Sequence, residues 1–198
     1  MLLIAVPTKT NLFLHFFLVK IASVQTTFQR IDVFDLESSS KYKLSQRETS
    51  YREENPSLFQ PQRIVYLDGV IQSTRHNLSA YHEALVHPVM FAHNNPKRVA
   101  IIGGGEGATL MEVLKHNTLE KVQMIEIDEE MVKTSRQYLQ EWSDCSDIIG
   151  SEKWCGDDSR SEIFYEDALA WFIDRYSPHG KLAQEHHSKL DVIIMDAL

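Results

Sequence analysis

The sequence has little positive charge, few cysteines and no apolar run long enough to cross a membrane. Only 20 lysines and arginines stand against 28 acidic residues, which gives a net charge of −8. That balance argues against nucleic acid or an anionic membrane as the main partner, and it is compatible with a polycationic substrate. The apolar run at residues 11–19 is far shorter than the about 20 residues that a spanning helix needs. We therefore expect neither nucleic acid nor a membrane as a partner.

Acidic residues are absent before Asp32. A cleavable targeting segment in residues 1–23 would have such a composition, although the positively charged region expected at its start is poorly developed. A buried strand or a badly defined gene start would explain the same residues. We expect a cytoplasmic protein and leave organelle targeting open.

Motifs for metal binding and for two common catalytic reactions are also missing. The chain has two cysteines, Cys145 and Cys155, and no second pair that would complete a zinc site. We expect reduced thiols in a loop, because a disulfide would need an oxidising compartment. None of the nine histidines has H-x-x-x-H or H-E-x-x-H spacing, and the adjacent His186 and His187 are interpreted as solvated. We expect no metal site, and neither G-x-S-x-G nor a Walker A motif occurs.

The most informative stretch is residues 98–108, RVAIIGGGEGA. The apolar residues before the glycines predict a buried strand, and the apolar spacing after them predicts a helix. A strand, a glycine turn and a helix are how open α/β sheets hold nucleotides and nucleosides. Gly103 and Gly105 fit two patterns, G-x-G-x-x-G/A for dinucleotides and G-x-G-x-G for S-adenosylmethionine. Glu106 favours a cationic nucleoside over NAD, since a carboxylate would repel a pyrophosphate and attract a sulfonium or an ammonium.

Residues 1–78 are predicted to form a small antiparallel β domain. We expect a strand at 24–37, a long polar surface loop at 38–62, and a hairpin around Asp68-Gly69 because Asp-Gly between apolar runs is a strong hairpin signal.

Residues 79–198 are predicted to form a parallel α/β sheet with right-handed crossovers. Ser79 can cap its first helix, which Pro88 interrupts or restarts. Polar loops are expected at 143–161 and 177–189. The predicted strands are 98–102, 121–127, 162–165 and 190–195, and the last one leaves an apolar strand at an edge.

Four carboxylates fall at or just past the carboxyl ends of these strands: Glu106, Glu126, Asp167 and Asp196. Parallel strands place those ends on one edge, where open α/β sheets bind ligands. Glu126 follows Gly103 by the spacing of an acid that binds ribose hydroxyls, and Asp128 competes for that role although alternation points it to the other face. Asp167 is equally explained as a helix N-cap, and Asp196 as a turn acid. Four acids on one edge predict a site for positive charge.

The order and spacing of several motifs resemble the polyamine aminopropyltransferases, the spermidine, spermine and thermospermine synthases. The resemblance covers roughly residues 24–37 and 62–198. It rests on LDGVIQ at 67–72, AYHE at 80–83, LVHP at 85–88, HNNPKRV at 93–99, GGGEG at 103–107 and MIEID at 124–128. The family fold that this implies is a small N-terminal antiparallel β domain, often used in oligomerisation, followed by a methyltransferase-like, Rossmann-type α/β domain. A homodimer or homotetramer through the β domain is therefore expected.

The resemblance also implies a reaction, the transfer of an aminopropyl group from decarboxylated S-adenosylmethionine to a polyamine, which releases methylthioadenosine. Decarboxylated S-adenosylmethionine is a co-substrate, and no metal or prosthetic group is implied. On the donor side, Gln29 matches a residue that contacts the nucleoside and Glu126 matches the ribose binder. Asp167 and Ala168 match the adenine-binding pair.

On the acceptor side, the resemblance places Tyr81 and His82 near the amine groups. Glu106 matches the acid that holds the aminopropyl ammonium, and Asp196 matches the catalytic acid that opens the D-x-x-D-P motif. The rest of that motif is absent, so we expect a C-terminally truncated chain. Putrescine is the expected acceptor, which would give spermidine. The alternatives are an S-adenosylmethionine-dependent methyltransferase and an inactive fragment that associates with a full-length homologue, with a dehydrogenase third.

Overall fold

The computed structural model describes residues 2–7, 13–39, 45–149, 154–184 and 187–197. His186 therefore lies outside the described residues. The chain divides into two compact units: unit 1 comprises Met1–Gln25 and Gln29–Asn77, and unit 2 comprises Thr26–Phe28 and Leu78–Leu198. Within the described ranges, none of the helices combines the length and the apolar character that crossing a bilayer requires.

Unit 1 is a five-stranded antiparallel sheet in which each strand pairs with the next one along the chain. Among the side chains of unit 1 that the structure describes, the buried apolar ones come from two adjacent strands, β3 (Arg30–Ser39) and β4 (Gln62–Leu67), as Ile31, Val33, Ile64 and Val65. Helix α1 (Gln46–Glu54) and a short 3-10 helix (Pro56–Phe59) lie between these two strands in sequence. The elements are β1 (Leu2–Pro7), β2 (Phe13–Gln25), β3 (Arg30–Ser39), α1 (Gln46–Glu54), β4 (Gln62–Leu67) and β5 (Val70–Thr74).

The predicted hairpin is confirmed. β4 and β5 pair antiparallel on either side of Asp68 and Gly69, whose φ angles are +49° and +84°. Two consecutive residues with positive φ form the turn whose twist matches that of antiparallel strands, which explains the Asp-Gly signal.

Two predictions for unit 1 are wrong in detail. The strand at 24–37 is broken at residues 26–29, where the Thr26 hydroxyl accepts a hydrogen bond from the Phe28 N–H at 3.0 Å and so offers the backbone an alternative to the sheet. The polar stretch 38–62 does connect paired strands, but it is not all loop. It contains α1, which starts with a capping box in which Ser45 and Glu48 each bond the backbone of the other.

Unit 2 is built on a four-stranded parallel sheet, as predicted, with the order β8-β7-β6-β9. The central strand β6 is buried on both faces, which explains its continuous apolar sequence. Its strands are β6 (Arg98–Gly103), β7 (Lys121–Ile125), β8 (Ser161–Phe164) and β9 (Val192–Asp196). Its helices are α2 (Leu78–Ala92), α3 (Ala108–Leu114), α4 (Glu129–Tyr138), α5 (Ser146–Ile149) and α6 (Ala168–Tyr176).

The strand order creates a switch point beside β6. The chain runs outward from β6 to β7 and β8, and it then returns to the other side of β6 as β9. In open α/β sheets, ligands bind outside the carboxyl ends of the strands where the order reverses. The strand order therefore predicts a ligand crevice at the ends of β6 and β9. As predicted, β9 is also an apolar edge strand, with Ile193 52% and Met195 66% exposed.

Pro88 and Ser79 do not have the predicted effects. The single helix α2 passes through Pro88, and Ser79 lies inside α2 rather than at its N-cap. Pro88 and Ala84 are both exposed, so water can reach the Ala84 carbonyl that loses its partner. Val86 and Met90 are almost fully buried on either side of Pro88, and this burial holds the helix together.

The prediction of reduced cysteines is also wrong, since Cys145 and Cys155 form a disulfide and both are fully buried. An antiparallel bridge between Asp144 and Trp154 brings the two cysteines side by side, and the Cys155 N–H donates to the Ser143 carbonyl at 3.0 Å. The stretch 143–161 is therefore a cross-linked segment that also holds α5, rather than a plain polar loop.

Candidate active site

The glycine turn after β6 brings the ends of β6 and β9 into contact. Gly103 and Gly104 have φ angles of +80° and +81°, which L side chains rarely adopt. The Gly104 N–H donates to the backbone carbonyl of Asp196 at 3.1 Å. A Cβ on Gly103 would overlap that same carbonyl oxygen. These glycines therefore allow the backbone of β9 to approach the turn that precedes α3.

Glu126 lies directly after β7 and orients the next part of the turn. Its two carboxylate oxygens accept the backbone N–H groups of Gly105 at 3.0 Å and Asp128 at 2.9 Å. Burial raises the pKa of the Glu126 carboxyl above its ordinary value, although these two backbone donors oppose the rise. Each oxygen keeps a further lone pair, so this oriented carboxylate can still accept bonds from two neighbouring hydroxyls.

Asp128, the competing candidate for the ribose, has a different position. It is the N-cap of α4, where its side chain accepts the Glu130 N–H, and it is 98% buried. That capping bond satisfies a helix donor and explains the residue without a ligand.

Tyr81 and Asp196 come together from α2 and β9. The Tyr81 hydroxyl faces Asp196 Oδ1 at 3.5 Å, which is long for a hydrogen bond. Tyr81 is 54% exposed, yet the partial burial of its phenol, with the negative charges of Asp196 and Glu106, raises the pKa of the phenol above its ordinary value. At neutral pH Tyr81 is therefore a hydrogen-bond donor and not a base. The negative charge of Glu106 lies near enough to contribute to the raised pKa of Tyr81.

His82 is turned toward its own helix. It is 97% buried, its Nδ1 lies 2.8 Å from the Leu78 carbonyl, and its ring packs edge-on against the Tyr81 ring with centroids 4.9 Å apart. A carbonyl oxygen only accepts, so Nδ1 is the donor in this bond and Nε2 is the ring nitrogen left for another group. His82 thus supports Tyr81, and its contact with an amine remains a prediction.

The remaining predicted residues are more dispersed. Asp167 is the N-cap of α6, with its Oδ1 2.8 Å from the Ala170 N–H, and Ala168 packs at the start of that helix. Both follow β8, so they lie on the same sheet edge as Glu126. Gln29 belongs to unit 1, where its carbonyl accepts the Gln25 side-chain amide. The contacts of these three residues with a nucleoside remain predictions.

Sequence reasoning missed Thr109. Its hydroxyl donates to Asp196 Oδ2 at 2.6 Å, across 87 residues of sequence. A threonine in the first turn of a helix gives no signal of such a distant partner, because its usual partners are backbone groups nearby.

The site as a whole gathers carboxylates around one phenol. Within the described ranges, no group of three histidine, cysteine or acidic side chains could hold a metal ion. The carboxylates of Glu106 and Asp196 attract a cation, and Asp196 can accept a proton from it. Such an arrangement fits the deprotonation of an ammonium group beside a bound nucleoside.

Comparisons with known proteins agree with this chemistry. The Spermine/spermidine synthase domain matches residues 78–198. A polyamine aminopropyltransferase of Hyperthermus butylicus is 45% identical over 134 residues, which cover 68% of this chain and 40% of that protein. A polyamine aminopropyltransferase of Thermococcus kodakarensis is 33% identical over 178 residues, which cover 90% of this chain and 49% of that protein.

Solved structures give the same result. The crystal structure of spermidine synthase from Thermotoga maritima has a TM-score of 0.63 and 32% identity, and the match covers 100% of this chain and 55% of that one. A spermidine synthase in complex with the transition-state analogue AdoDATO has a TM-score of 0.63 and 33% identity, covering 95% of this chain and 50% of that one. The chain spans about half the length of the relatives it matches. With the family domain matching more than half of its residues, the chain belongs to the spermine/spermidine synthase family.

Proposed function

We propose that the protein transfers an aminopropyl group from decarboxylated S-adenosylmethionine to a polyamine and releases methylthioadenosine. The observation that carries the proposal is the Asp196 carboxylate at the switch point, with Tyr81 at 3.5 Å and Glu106 nearby. Family membership supports the same reaction, and one neighbour binds AdoDATO, which is named as a transition-state analogue.

In this mechanism the donor lies along the glycine turn. Glu126 accepts the ribose hydroxyls, while Asp167 and Ala168 flank the adenine and Gln29 contacts the nucleoside. Glu106 pairs with the ammonium of the aminopropyl group. The glycines let the donor lie against the backbone, where side chains would exclude it.

The acceptor amine is an ammonium with a pKa of about 10 in water, so it must lose a proton before it attacks. Asp196 takes that proton, and Tyr81 and His82 help to hold the amine. The nitrogen lone pair then forms a bond to the carbon attached to sulfur, and the electrons of the broken C–S bond return to sulfur. The leaving group is a neutral thioether, so the protein contributes chiefly by positioning and by neutralising positive charge.

The test is methylthioadenosine release by the purified protein, supplied with decarboxylated S-adenosylmethionine and either putrescine or spermidine. We expect release with putrescine, and Asp196→Asn should lower kcat by roughly 10²–10⁴-fold, the usual contribution of a general base. Asp157→Asn, an exposed acid elsewhere in unit 2, is the matched control and should leave the rate unchanged. No release with any amine would overturn the proposal. Methyl transfer from S-adenosylmethionine would then favour the methyltransferase alternative.

We also propose an assembly and a compartment. A homodimer or homotetramer through unit 1 is supported by the family resemblance, and sedimentation of the protein with and without unit 1 tests it. The cytoplasm is the proposed compartment. The Cys145–Cys155 disulfide opposes it, because disulfides persist in oxidising compartments. Cell fractionation decides between them.

A further inference from the structure

Thr109 makes an unusual contact for a helical threonine. It is fully buried in the first turn of α3. Its hydroxyl donates to Oδ2 of Asp196 at 2.6 Å, the length of a charge-assisted O–H···O⁻ bond. A buried hydroxyl usually bonds its own helix, whereas this one bonds a carboxylate on a different strand.

Asp196 is thereby held at two points. The Gly104 N–H binds its backbone carbonyl at 3.1 Å, and the Thr109 hydroxyl binds one oxygen of its side chain. The other oxygen, Oδ1, faces the Tyr81 hydroxyl at 3.5 Å. The bond to Oδ2 therefore limits rotation of the carboxylate and directs Oδ1 toward the Tyr81 hydroxyl.

We propose that Thr109 is the positioning residue for Asp196, holding its carboxylate so that Oδ1 meets the acceptor amine. This inference rests on the proposed function, since it assigns to Thr109 a part in the same proton transfer. A displacement of about 1 Å can lower a rate by about 10²-fold, so a single hydrogen bond that sets the carboxylate plane has a large kinetic effect.

The test compares Thr109→Val, which keeps the shape without the hydroxyl, with Thr109→Ser, which keeps the hydroxyl. We expect Thr109→Val to lower kcat about 10- to 100-fold, the range for losing a hydrogen bond to a charged group, while KM for the donor stays within about twofold. Thr109→Ser should recover most of the rate. Thr134→Val, the same change at a buried threonine of α4, is the matched control and should leave kcat unchanged.

A double substitution separates positioning from a general structural role. In an Asp196→Asn background, Thr109→Val should lower kcat by less than about twofold further, because the group it positions is gone. Equal losses with and without the Asp196 carboxylate would overturn the proposal, as would equal rates for Thr109→Val and wild type. If Thr109→Val folds poorly, Thr109→Ala also lacks the hydroxyl and must show the same loss.

Crystal structures of wild type and Thr109→Val keep the inference testable without turnover. We expect the Asp196 carboxylate to rotate away from its wild-type position once the hydroxyl is removed. An unchanged carboxylate would overturn the positioning role even if the protein is active. If wild type releases no methylthioadenosine, the proposed function fails, and these structures still decide whether Thr109 sets the orientation.

Discussion

Replacing Gly103 by alanine tests the close approach of β6 and β9 on which the site depends. Two effects add at this position. A side chain at φ +80° costs roughly 1–2 kcal/mol. The new Cβ would also overlap the Asp196 carbonyl oxygen and lie 3.0 Å from its carbonyl carbon, and overpacking of this kind costs about 1–3 kcal/mol. The free energy of unfolding of unit 2 should therefore fall by about 2–5 kcal/mol.

Gly69→Ala is the matched control. Gly69 has nearly the same φ, +84°, but a Cβ there would meet no atom within 4 Å. Only the backbone effect of roughly 1–2 kcal/mol applies to it. The difference between the two variants, about 1–3 kcal/mol, isolates the overlap with Asp196.

Urea denaturation measures both losses with separate probes. All three tryptophans, Trp142, Trp154 and Trp171, belong to unit 2, so their fluorescence follows the unfolding of that unit. Far-UV circular dichroism is fitted with the unit 2 transition held at the values from tryptophan fluorescence. The remaining transition then gives the unfolding of unit 1 in Gly69→Ala. Equal losses in the two variants would refute the steric argument and leave only backbone strain. The Gly103→Ala substitution should also displace Asp196, so the folded fraction of this variant should have a lower kcat than wild type.

Two more predictions concern the disulfide and the phenol. Reduction of the Cys145–Cys155 bond opens a closed loop with a sequence separation of 10, which should lower the free energy of unfolding of unit 2 by about 3 kcal/mol. Thermal melts with and without reductant test this prediction. A fall in Tm on adding reductant to the double variant Cys145→Ala/Cys155→Ala would contradict it. The raised pKa of Tyr81 predicts a phenol that ionises only above its ordinary range, so the stability it contributes is present below pH 10 and is lost as pH rises through the folded-state pKa. Difference absorbance between wild type and Tyr81→Phe should show this late ionisation, and Asp196→Asn should move it to lower pH; no movement would exclude Asp196 as a cause.

The parallel sheet could be predicted because its signals are local. The strand at β6 is an apolar run buried on both faces, and the glycines after it need backbone angles that other residues resist. The Asp68-Gly69 hairpin was equally accessible for the same reason. Ser45 and Glu48 carried a local signal that the sequence reading overlooked, a capping box that starts α1.

Other features could not be predicted because they depend on tertiary contacts. Pro88 remains inside α2 because Val86 and Met90 are buried on either side of it, which local propensity cannot register. The pairing of Cys145 with Cys155 depends on an antiparallel bridge between their neighbours, so composition alone favoured free thiols.

The candidate site also combines features with local sequence signals and features that depend on tertiary contacts. The positions of Glu126 and Asp196 follow from strand ends, which the apolar pattern reveals. The contact between Thr109 and Asp196 joins a helix to a strand far along the chain, and only the strand order that puts β9 beside β6 creates it.

The glycine turn links the two halves of the proposed reaction. The Gly105 N–H binds Glu126, the proposed ribose acceptor, while the Gly104 N–H and the Thr109 hydroxyl bind Asp196, the proposed proton acceptor. One short segment, 104–109, thus fixes the positions of both acids. A change of backbone in that segment must alter donor binding and proton transfer together. Tyr81 is on a different element, α2, and its hydroxyl faces Asp196 at 3.5 Å, so its substitution should affect proton transfer while donor binding is kept.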